Sequence, residues 1–160
     1  MPQISSSNFL NMKPFRQYMS IVPRFLNAKD AEGAKRENEI SHKIIGAAIE
    51  VHKILGGPGL LESIYESCLC KKLVLQGLRV QSQLAVPINY KGFSVRDPLY
   101  IDILVEGSVI VEVKATEKIH SIHEVQLLTY LRLTDHRLGL LINFGQEFVK
   151  DGIRRLVNGL

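Results

Sequence analysis

The apolar positions of the chain begin with a helical period. From Glu39 to Leu55 they recur at steps of three and four residues, which predicts an amphipathic helix that ends at the turn Gly56-Gly57-Pro58-Gly59. A second stripe of the same period predicts a helix from Leu60 to Gln76. Gly77 directly follows it and is a natural residue to end a helix. The N-terminal part of the fold is therefore predicted to be helical.

The pattern then becomes mainly extended. Extended segments are predicted at Leu78–Val80, Leu84–Tyr90, Leu99–Val105, Val109–Val113 and Leu138–Asn143, with helices at Ile122–Leu133 and Val149–Val157. The segment Leu138–Asn143 is continuously apolar, as is typical of a strand buried at the centre of a sheet. Strands grouped between helices predict an α/β domain with a central mixed β-sheet flanked by helices.

The 160 residues are enough for one domain. The first 36 residues have no clear hydrophobic period, and we expect an N-terminal extension at 1–36 and a folded domain at 37–160. Three interpretations of the extension remain open: a poorly ordered or accessory segment, an over-called start with initiation at Met12 or Met19, or an organelle transit peptide, since it lacks acidic residues before residue 30.

Charge and cysteine content restrict the function classes. The net charge of +4 comes entirely from residues 1–29, and residues 30–160 carry 16 basic and 16 acidic side chains. Net charge therefore gives no argument for nucleic-acid binding by the folded part. Cys68 and Cys70 are too close in sequence for ordinary disulfide geometry, which predicts reduced thiols and a cytoplasmic protein. Apolar runs stay short of the ~20 residues that span a bilayer, so we expect no membrane partner.

Three charged residues lie in or directly after the predicted strands. Asp102 is in the strand Leu99–Val105, Glu112 is in the strand Val109–Val113, and Lys114 directly follows that strand. A three-residue turn at 106–108 would pair residue 105 with 109 and residue 102 with 112. The side-chain period of two then places all three side chains on one face of the sheet. A two-residue turn would separate the two carboxylates onto opposite faces.

The chemistry of these residue types has two interpretations. Two carboxylates about 5 Å apart repel each other unless a cation lies between them. Oxygen ligands favour Mg²⁺ or Mn²⁺, and a lysine beside them can orient a water or offset charge on a phosphate, which together suit phosphodiester hydrolysis. The alternative is a salt-bridged ladder with a structural role. The five histidines show no zinc-binding spacing.

Two helical residue pairs extend the pattern. Glu62 and Tyr65 share a helix face in Gly59-Leu-Leu-Glu62-Ser-Ile-Tyr65, and Gln126 and Tyr130 share one in Gln126-Leu-Leu-Thr-Tyr130. The first motif, with the flanking sequence from about residue 40 to 155, resembles the GxxExxY proteins of the PD-(D/E)XK nuclease superfamily. The Gln126/Tyr130 pair is similar to the Q-x-x-x-Y element of RecB-type nucleases. The chain departs only in the turn before Glu62, which has one glycine more than many relatives.

The resemblance implies a restriction-endonuclease-like fold and a role for each of these residues. Asp102 and Glu112 would bind metal, and Glu62 would complete the metal shell, directly or through water. Lys114 would serve the nucleophilic water. The resemblance implies contact of Gln126 and Tyr130 with the phosphate or with Lys114, and Tyr65 is grouped with these substrate-binding residues.

The leading functional hypothesis is a Mg²⁺- or Mn²⁺-dependent nuclease acting on DNA, with RNA as the other substrate class. Two further hypotheses stay open. One is a nucleic-acid-binding or protein-interaction module without turnover. The other is a subunit that is active only with a partner such as a helicase, or as a homo-oligomer. The neutral balance of residues 30–160 fits a partner requirement, because non-specific affinity for nucleic acid comes from phosphate neutralisation.

Overall fold

The computed structural model describes residues 28–159, which form three helices and seven strands. The helices are α1 (Ala28–Ile54), α2 (Glu62–Leu75) and α3 (Ser121–Thr134). The strands are β1 (Val80–Val86), β2 (Asn89–Tyr90), β3 (Phe93–Ser94), β4 (Leu99–Val105), β5 (Val109–Lys114), β6 (Leu138–Asn143) and β7 (Ile153–Val157). A short 3₁₀ turn, Val149–Gly152, leads into β7.

Five of the strands form one mixed sheet in the order β1-β4-β5-β6-β7. Neighbouring strands are antiparallel except for β5 and β6, which are parallel and are connected through α3. Every residue of β6 is buried, as the continuous apolar run predicted for a central strand. The strands β2 and β3 form a separate two-stranded hairpin in the connection from β1 to β4. The predicted α/β architecture with a flanked mixed sheet is confirmed.

The helices pack on the two faces of this sheet. The first apolar cluster joins α1 and α2 to one face, and the second joins α3 to the other. Gly139 of β6 allows the close approach of α3, because a Cβ there would lie 2.9 Å from Leu127 Cδ1. This three-layer packing holds the N-terminal ends of α2 and α3 near the end of β5.

The first helix begins earlier than the apolar period indicated. α1 starts at Ala28, whereas periodicity placed the start at Glu39, because the first buried apolar side chain is that of Ile40. The segment before Ile40 is polar and makes ionic contacts, among them Arg36 to Glu106 at 3.4 Å. The expected boundary between residues 36 and 37 therefore falls inside a helix, and the expectations for residues 1–27 lie outside the described residues.

The predicted final helix, Val149–Val157, is wrong. Residues 149–152 form the 3₁₀ turn, and residues 153–157 form β7, which pairs antiparallel with β6 from Ile142↔Ile153 to Leu138↔Val157. Gly152 packs against the backbone carbonyl of Asn143, where any Cβ would collide. Nine residues with a few apolar positions do not distinguish a helix from a short strand, and the open edge of β6 decides in favour of the strand.

The helix α2 ends before Gly77, as predicted. Gly77 has φ +79°, and the Leu78 N–H donates to the Leu73 carbonyl, so α2 ends in a Schellman motif.

Within residues 28–159, no helix has the length and apolarity required to cross a membrane. Cys68 and Cys70 are both free thiols, as expected.

Candidate active site

The strands β4 and β5 are paired near their connecting turn and separate farther along. The turn residues Glu106 and Gly107 have φ of +54° and +61°, and the first pair is Val105↔Val109. The last pair is Ile103↔Val111, which puts residue 102 opposite residue 112 just beyond the ladder. The predicted three-residue turn and register are confirmed, and Asp102 and Glu112 meet where the strands fork.

Asp102 lies within this fork. Its Oδ2 accepts a hydrogen bond of 2.8 Å from the backbone N–H of Val113, an amide that a continued ladder would have paired with the main chain of β4. The side chain thus takes the place of a strand carbonyl and is held in the plane of the sheet. This in-plane position differs from the expectation that Asp102 shares one sheet face with Glu112 and Lys114, because the alternation of β4 is interrupted there: Ile101 packs in the second apolar cluster and Ile103 in the first.

Gln83 of β1 supports Asp102 from the other side. Gln83 falls between the pairs Ser82↔Ile103 and Leu84↔Ile101, opposite Asp102, and has φ +52°, which non-glycine residues seldom adopt. Its Nε2 donates to both oxygens of Glu66 at 2.8 and 3.0 Å and lies 3.5 Å from Asp102 Oδ1. The strained backbone directs this amide between two carboxylates.

Sequence reasoning missed both Gln83 and Glu66 as site residues. Glu66 is four residues after Glu62 on α2, so the two acids share a helix face, and that spacing was available as a signal. The position of Gln83 depends on a local backbone distortion that no pattern in the sequence records. Burial raises the pKa of Glu66, and the charges of Asp102 and Glu62 raise it further against the hydrogen bond from Gln83.

Glu112 is the buried carboxylate of the site. The residue is 2% exposed, its Oε1 accepts a hydrogen bond of 2.7 Å from Lys114 Nζ, and its Oε2 is buried with no hydrogen-bond partner. Burial raises the pKa of Glu112 to about 7, and repulsion from Asp102 adds to the effect while Lys114 opposes it. A buried, unpaired carboxylate oxygen is costly unless a cation binds it.

Lys114 connects Glu112 with the second helix. Its Nζ lies 3.7 Å from Glu62 Oε1, and Glu62 Oε2 accepts from the backbone N–H of Ala115 at 3.3 Å. Burial by itself lowers the pKa of Lys114, but the hydrogen bond to Glu112 and the charges of the three acids raise it above its ordinary value. Glu62 therefore approaches the site from the start of α2, as predicted, and Lys114 is a cation there.

Tyr65 does not reach the site, and its grouping with the substrate-binding residues is not supported. It is fully buried, its ring stacks on Phe144 at 4.6 Å, and its hydroxyl donates to the Gly57 carbonyl at 2.7 Å and accepts from the Leu60 N–H at 3.2 Å. These contacts tie the glycine-rich turn to α2. Tyr65 thereby fixes the direction in which α2 presents Glu62.

The predicted pair on α3 is in contact. Gln126 Nε2 donates to the Tyr130 hydroxyl at 2.7 Å, and Tyr130 is buried in the second apolar cluster. His123, three residues before Gln126, shares this helix face. Burial lowers the pKa of His123, and the nearby charge of Lys114 lowers it further, so His123 borders the site. Sequence reasoning did not predict His123 as a site residue, because the histidines show no zinc-binding spacing.

Asn143, at the end of β6, holds the segment that follows Lys114. Its Oδ1 accepts from the N–H groups of Thr116 and Gly145 at 2.9 and 3.0 Å, and its Nδ2 donates to the Thr116 carbonyl at 2.8 Å. Asn143 is completely buried and all of these bonds are within the protein. The β5 end is thus fixed on the β6 side by Asn143 and on the α2 side by Glu62.

The donor set fits a hard divalent cation with few protein ligands. Across the described part of the chain, no three His, Cys, Asp or Glu side chains are already grouped as a metal cage. The unpaired Glu112 Oε2 next to Asp102 instead provides two carboxylates, and Mg²⁺ commonly binds one or two carboxylates and keeps several waters. The geometry therefore fits Mg²⁺ or Mn²⁺ and does not fit a closed structural site.

Comparison with known protein families gives one match. A family model described as the PD-(D/E)XK nuclease superfamily matches residues 38–156. The chain belongs to the PD-(D/E)XK nuclease superfamily. The match covers Asp102, Glu112 and Lys114 together with Glu62 on α2. No curated protein and no solved structure matches the chain. PD-(D/E)XK nucleases generally use divalent metals, which agrees with the oxygen-rich fork between β4 and β5.

Proposed function

We propose that this PD-(D/E)XK domain is a Mg²⁺- or Mn²⁺-dependent nuclease that hydrolyses phosphodiester bonds in DNA, with RNA as the other candidate substrate. The observation that carries the proposal is the buried, unpaired Oε2 of Glu112 beside Asp102, with the Lys114 ammonium alongside. A purely structural ladder would pair both oxygens of its buried acid. The finer assignment to the GxxExxY group is also part of the proposal and rests on Gly59, Glu62 and Tyr65.

Asp102 and Glu112 would hold the ion, and Glu62 would complete its shell through water. When bound, such an ion supplies a water of lowered pKa and offsets negative charge on the phosphate. The hydrogen bond from Val113 fixes Asp102, and the burial of Glu112 excludes competing water. Both ligands are therefore oriented before the cation arrives.

Lys114 would act as a fixed positive charge next to the reacting phosphate. Its raised pKa keeps the ammonium protonated at neutral pH, which favours charge stabilisation and orientation of the water over proton abstraction by Lys114 itself. Gln126 would present its amide toward the phosphate or Lys114, oriented by the hydroxyl of Tyr130. Tyr130 would act through Gln126, because its own side chain is buried.

A requirement for a protein partner is the second candidate. Residues 30–160 carry equal numbers of basic and acidic side chains, so phosphate neutralisation by the domain alone gives little affinity. A helicase or a second copy of the chain could supply the missing contacts. This alternative keeps the chemistry of the site and changes only how nucleic acid is delivered to it.

The test is metal-dependent cleavage of plasmid, single-stranded DNA and RNA by the wild type and by Glu112→Gln. We expect cleavage with Mg²⁺ or Mn²⁺, none with EDTA, and none by the variant, whose side chain keeps the shape but loses the charge. Glu147→Gln is a matched control, because Glu147 lies outside the fork and borders a cleft lined by Ile49 and Phe148. Equal cleavage by wild type and Glu112→Gln would show that the activity does not arise at this site.

A further inference from the structure

Exposed aromatic residues lie on the hairpin that connects β1 to β4 and at the start of β4. Tyr90, Phe93 and Tyr100 are 63%, 67% and 52% exposed, whereas Tyr65, Tyr130 and Phe144 are buried in the core. Aromatic rings contribute large apolar surfaces that proteins ordinarily bury, and several together in solvent mark an interaction surface. We call Tyr90, Phe93 and Tyr100 the aromatic ribbon.

Two of these rings are neighbours on a small hairpin. Tyr90 and Phe93 are direct partners in the register of β2 and β3, so both side chains lie on the same face, with Cβ atoms about 5 Å apart. Lys91, in the turn between them, holds its ammonium 5.5 Å from the centre of the Tyr90 ring. A cation is thereby placed beside the exposed Tyr90 ring.

The aromatic ribbon lies at the end of β4 toward which the fork opens. β1 ends and β4 begins at the pair Val86↔Leu99, and the hairpin extends from this end. Tyr100 is the second residue of β4 and precedes Asp102 by two positions, which corresponds to about 7 Å along a strand. At this separation, a nucleic-acid strand bound in the fork is within reach of Tyr100.

The chemistry of this surface favours unpaired bases. Stacking on aromatic side chains contributes to binding of single strands and tolerates any base sequence. In a duplex the base faces are already stacked on each other and are inaccessible to protein rings. A domain with balanced charge over residues 30–160 has no overall positive charge to attract nucleic acid, so stacking would have to contribute much of the affinity.

We propose that the aromatic ribbon binds an unpaired strand and leads it into the fork, so that the substrate is single-stranded nucleic acid or a single-stranded end of a duplex. This inference rests on the proposed nuclease function and names its substrate class. Bases stack on Tyr90, Phe93 and Tyr100, and Lys91 contacts the phosphates beside the first ring. Residues 88–101 contain two cationic side chains, Lys91 and Arg96, and one acidic side chain, Asp97, and this positive balance fits a polyanionic ligand.

The test compares binding of one labelled sequence as a single strand and as a blunt duplex, in EDTA so that no cleavage occurs. We expect the wild type to prefer the single strand. Tyr90→Ala with Phe93→Ala should weaken single-strand binding at least about tenfold, since each stacked base contributes about 1–3 kcal/mol. The same double variant should bind the duplex like the wild type.

Phe148→Ala is the matched control. Phe148 is also an exposed aromatic residue with a lysine ammonium near its ring, Lys150 at 5.7 Å, but it lies beside the 3₁₀ turn at the opposite edge of the sheet from β1. Its truncation should leave single-strand binding unchanged. An equal loss in this variant would show that any exposed aromatic residue has the effect and would overturn the assignment to the aromatic ribbon.

The remaining outcomes separate this inference from the nuclease proposal. Unchanged single-strand binding by the double variant, or equal losses on single strand and duplex, overturns the inference, while metal-dependent cleavage abolished by Glu112→Gln still supports the nuclease. A wild type that dimerises through the ribbon, with a monomeric double variant by light scattering and no change in nucleic-acid binding, assigns the surface to a protein partner. No nucleic-acid binding by the wild type also overturns the inference.

Discussion

Glu112 has one oxygen bound to Lys114 and one oxygen buried without a partner, which makes the charge of this residue sensitive to its surroundings. The pKa of Glu112 is about 7 in the folded state, against an ordinary value of 4.5. Between those two pH values the native state binds more protons than the unfolded chain, so its stability falls as pH rises. Ionising Glu112 without a cation therefore destabilises the fold.

This linkage predicts the pH dependence of a variant. Glu112→Gln has no charge to bury, so relative to the wild type it should gain up to about 3 kcal/mol of stability between about pH 4.5 and about pH 7. Urea unfolding of both proteins in EDTA, at about pH 5 and about pH 8, measures the difference. A constant difference across this range would show that Glu112 titrates as an ordinary glutamate.

Lys114 has a different expected role from that of Glu112. Lys114→Met removes the ammonium that contacts Glu112 at 2.7 Å and keeps an unbranched side chain of similar length. Metal binding should persist, because lysine is not a ligand, and the cleavage rate should fall by roughly 10²–10⁴ for the loss of a positioned catalytic group. Single-turnover cleavage and Mn²⁺ titration measure these two effects separately.

The structural ladder gives the reverse pattern for Lys114→Met. In that case Lys114 only neutralises the acids, so its loss should lower the melting temperature, and no metal should bind either protein. Thermal melts in EDTA provide this comparison. A variant that melts lower than the wild type and cleaves at the wild-type rate would contradict the role of Lys114 in the reaction.

At the scale of elements, the position of α2 depends on its tie to the preceding turn. The Tyr65 hydroxyl donates to the Gly57 carbonyl and accepts from the Leu60 N–H. Glu62, at the start of the same helix, reaches Lys114. This arrangement explains why a tyrosine accompanies the glutamate at this spacing: the tyrosine orients the helix start and the glutamate reaches the site.

Tyr65→Phe should therefore affect stability more than substrate binding. Loss of the hydroxyl removes its hydrogen bonds to the half-buried Gly57 carbonyl and the Leu60 N–H, at a cost of about 0.5–1.5 kcal/mol. The KM for an oligonucleotide should stay within about twofold of the wild type, because Tyr65 is fully buried and does not touch substrate. An unchanged melting temperature with a large rise in KM would return Tyr65 to the substrate-binding residues.

Several strands and turns of the fold can be predicted from the sequence alone. β4, β6 and the turn at 106–108 follow from the period of two and from a continuous apolar run, and the structure confirms them. The segment 149–157 was assigned to the wrong element because its conformation is set by pairing with β6, a contact distant in sequence. Local pattern therefore succeeds where the segment itself carries the period.

The same limit applies to the candidate site. The proximity of Asp102, Glu112 and Lys114 follows from the register of a single hairpin, and motif resemblance adds Glu62. The contributions of Gln83 and His123 come from elements brought together only by tertiary packing. The φ of +52° at Gln83 is a property of the fork and has no signature in the sequence.

At the scale of the whole molecule, the N-terminal half of α1 is attached to the domain by polar contacts. Arg137 donates to the Asp30 carbonyl at 3.3 Å, Arg155 donates to Asn38 at 2.6 Å, and the first buried apolar residue is Ile40. Polar contacts of this kind at or near the surface contribute little to stability. The fold should therefore depend mainly on the residues from Ile40 onward.

A chain that begins at Lys35 should fold cooperatively and lose about 1 kcal/mol or less relative to the full chain. It retains Arg36 and Asn38 and their contacts with Glu106 and Arg155. Urea unfolding followed by circular dichroism measures the loss, and the slope of the transition reports whether the unfolding unit is unchanged. A non-cooperative transition would make residues 1–34 a structural part of the domain.

The central claim is that the fork between β4 and β5 is a divalent metal site, and calorimetric titration of Mn²⁺ tests it most directly. We expect the wild type to bind Mn²⁺ with release of protons near pH 7, since Glu112 must ionise to become a ligand. Glu112→Gln should bind far more weakly, and Lys114→Met should still bind. A wild type that shows no binding heat up to about millimolar Mn²⁺, or an isotherm identical to that of Glu112→Gln, would contradict a metal site at Asp102 and Glu112.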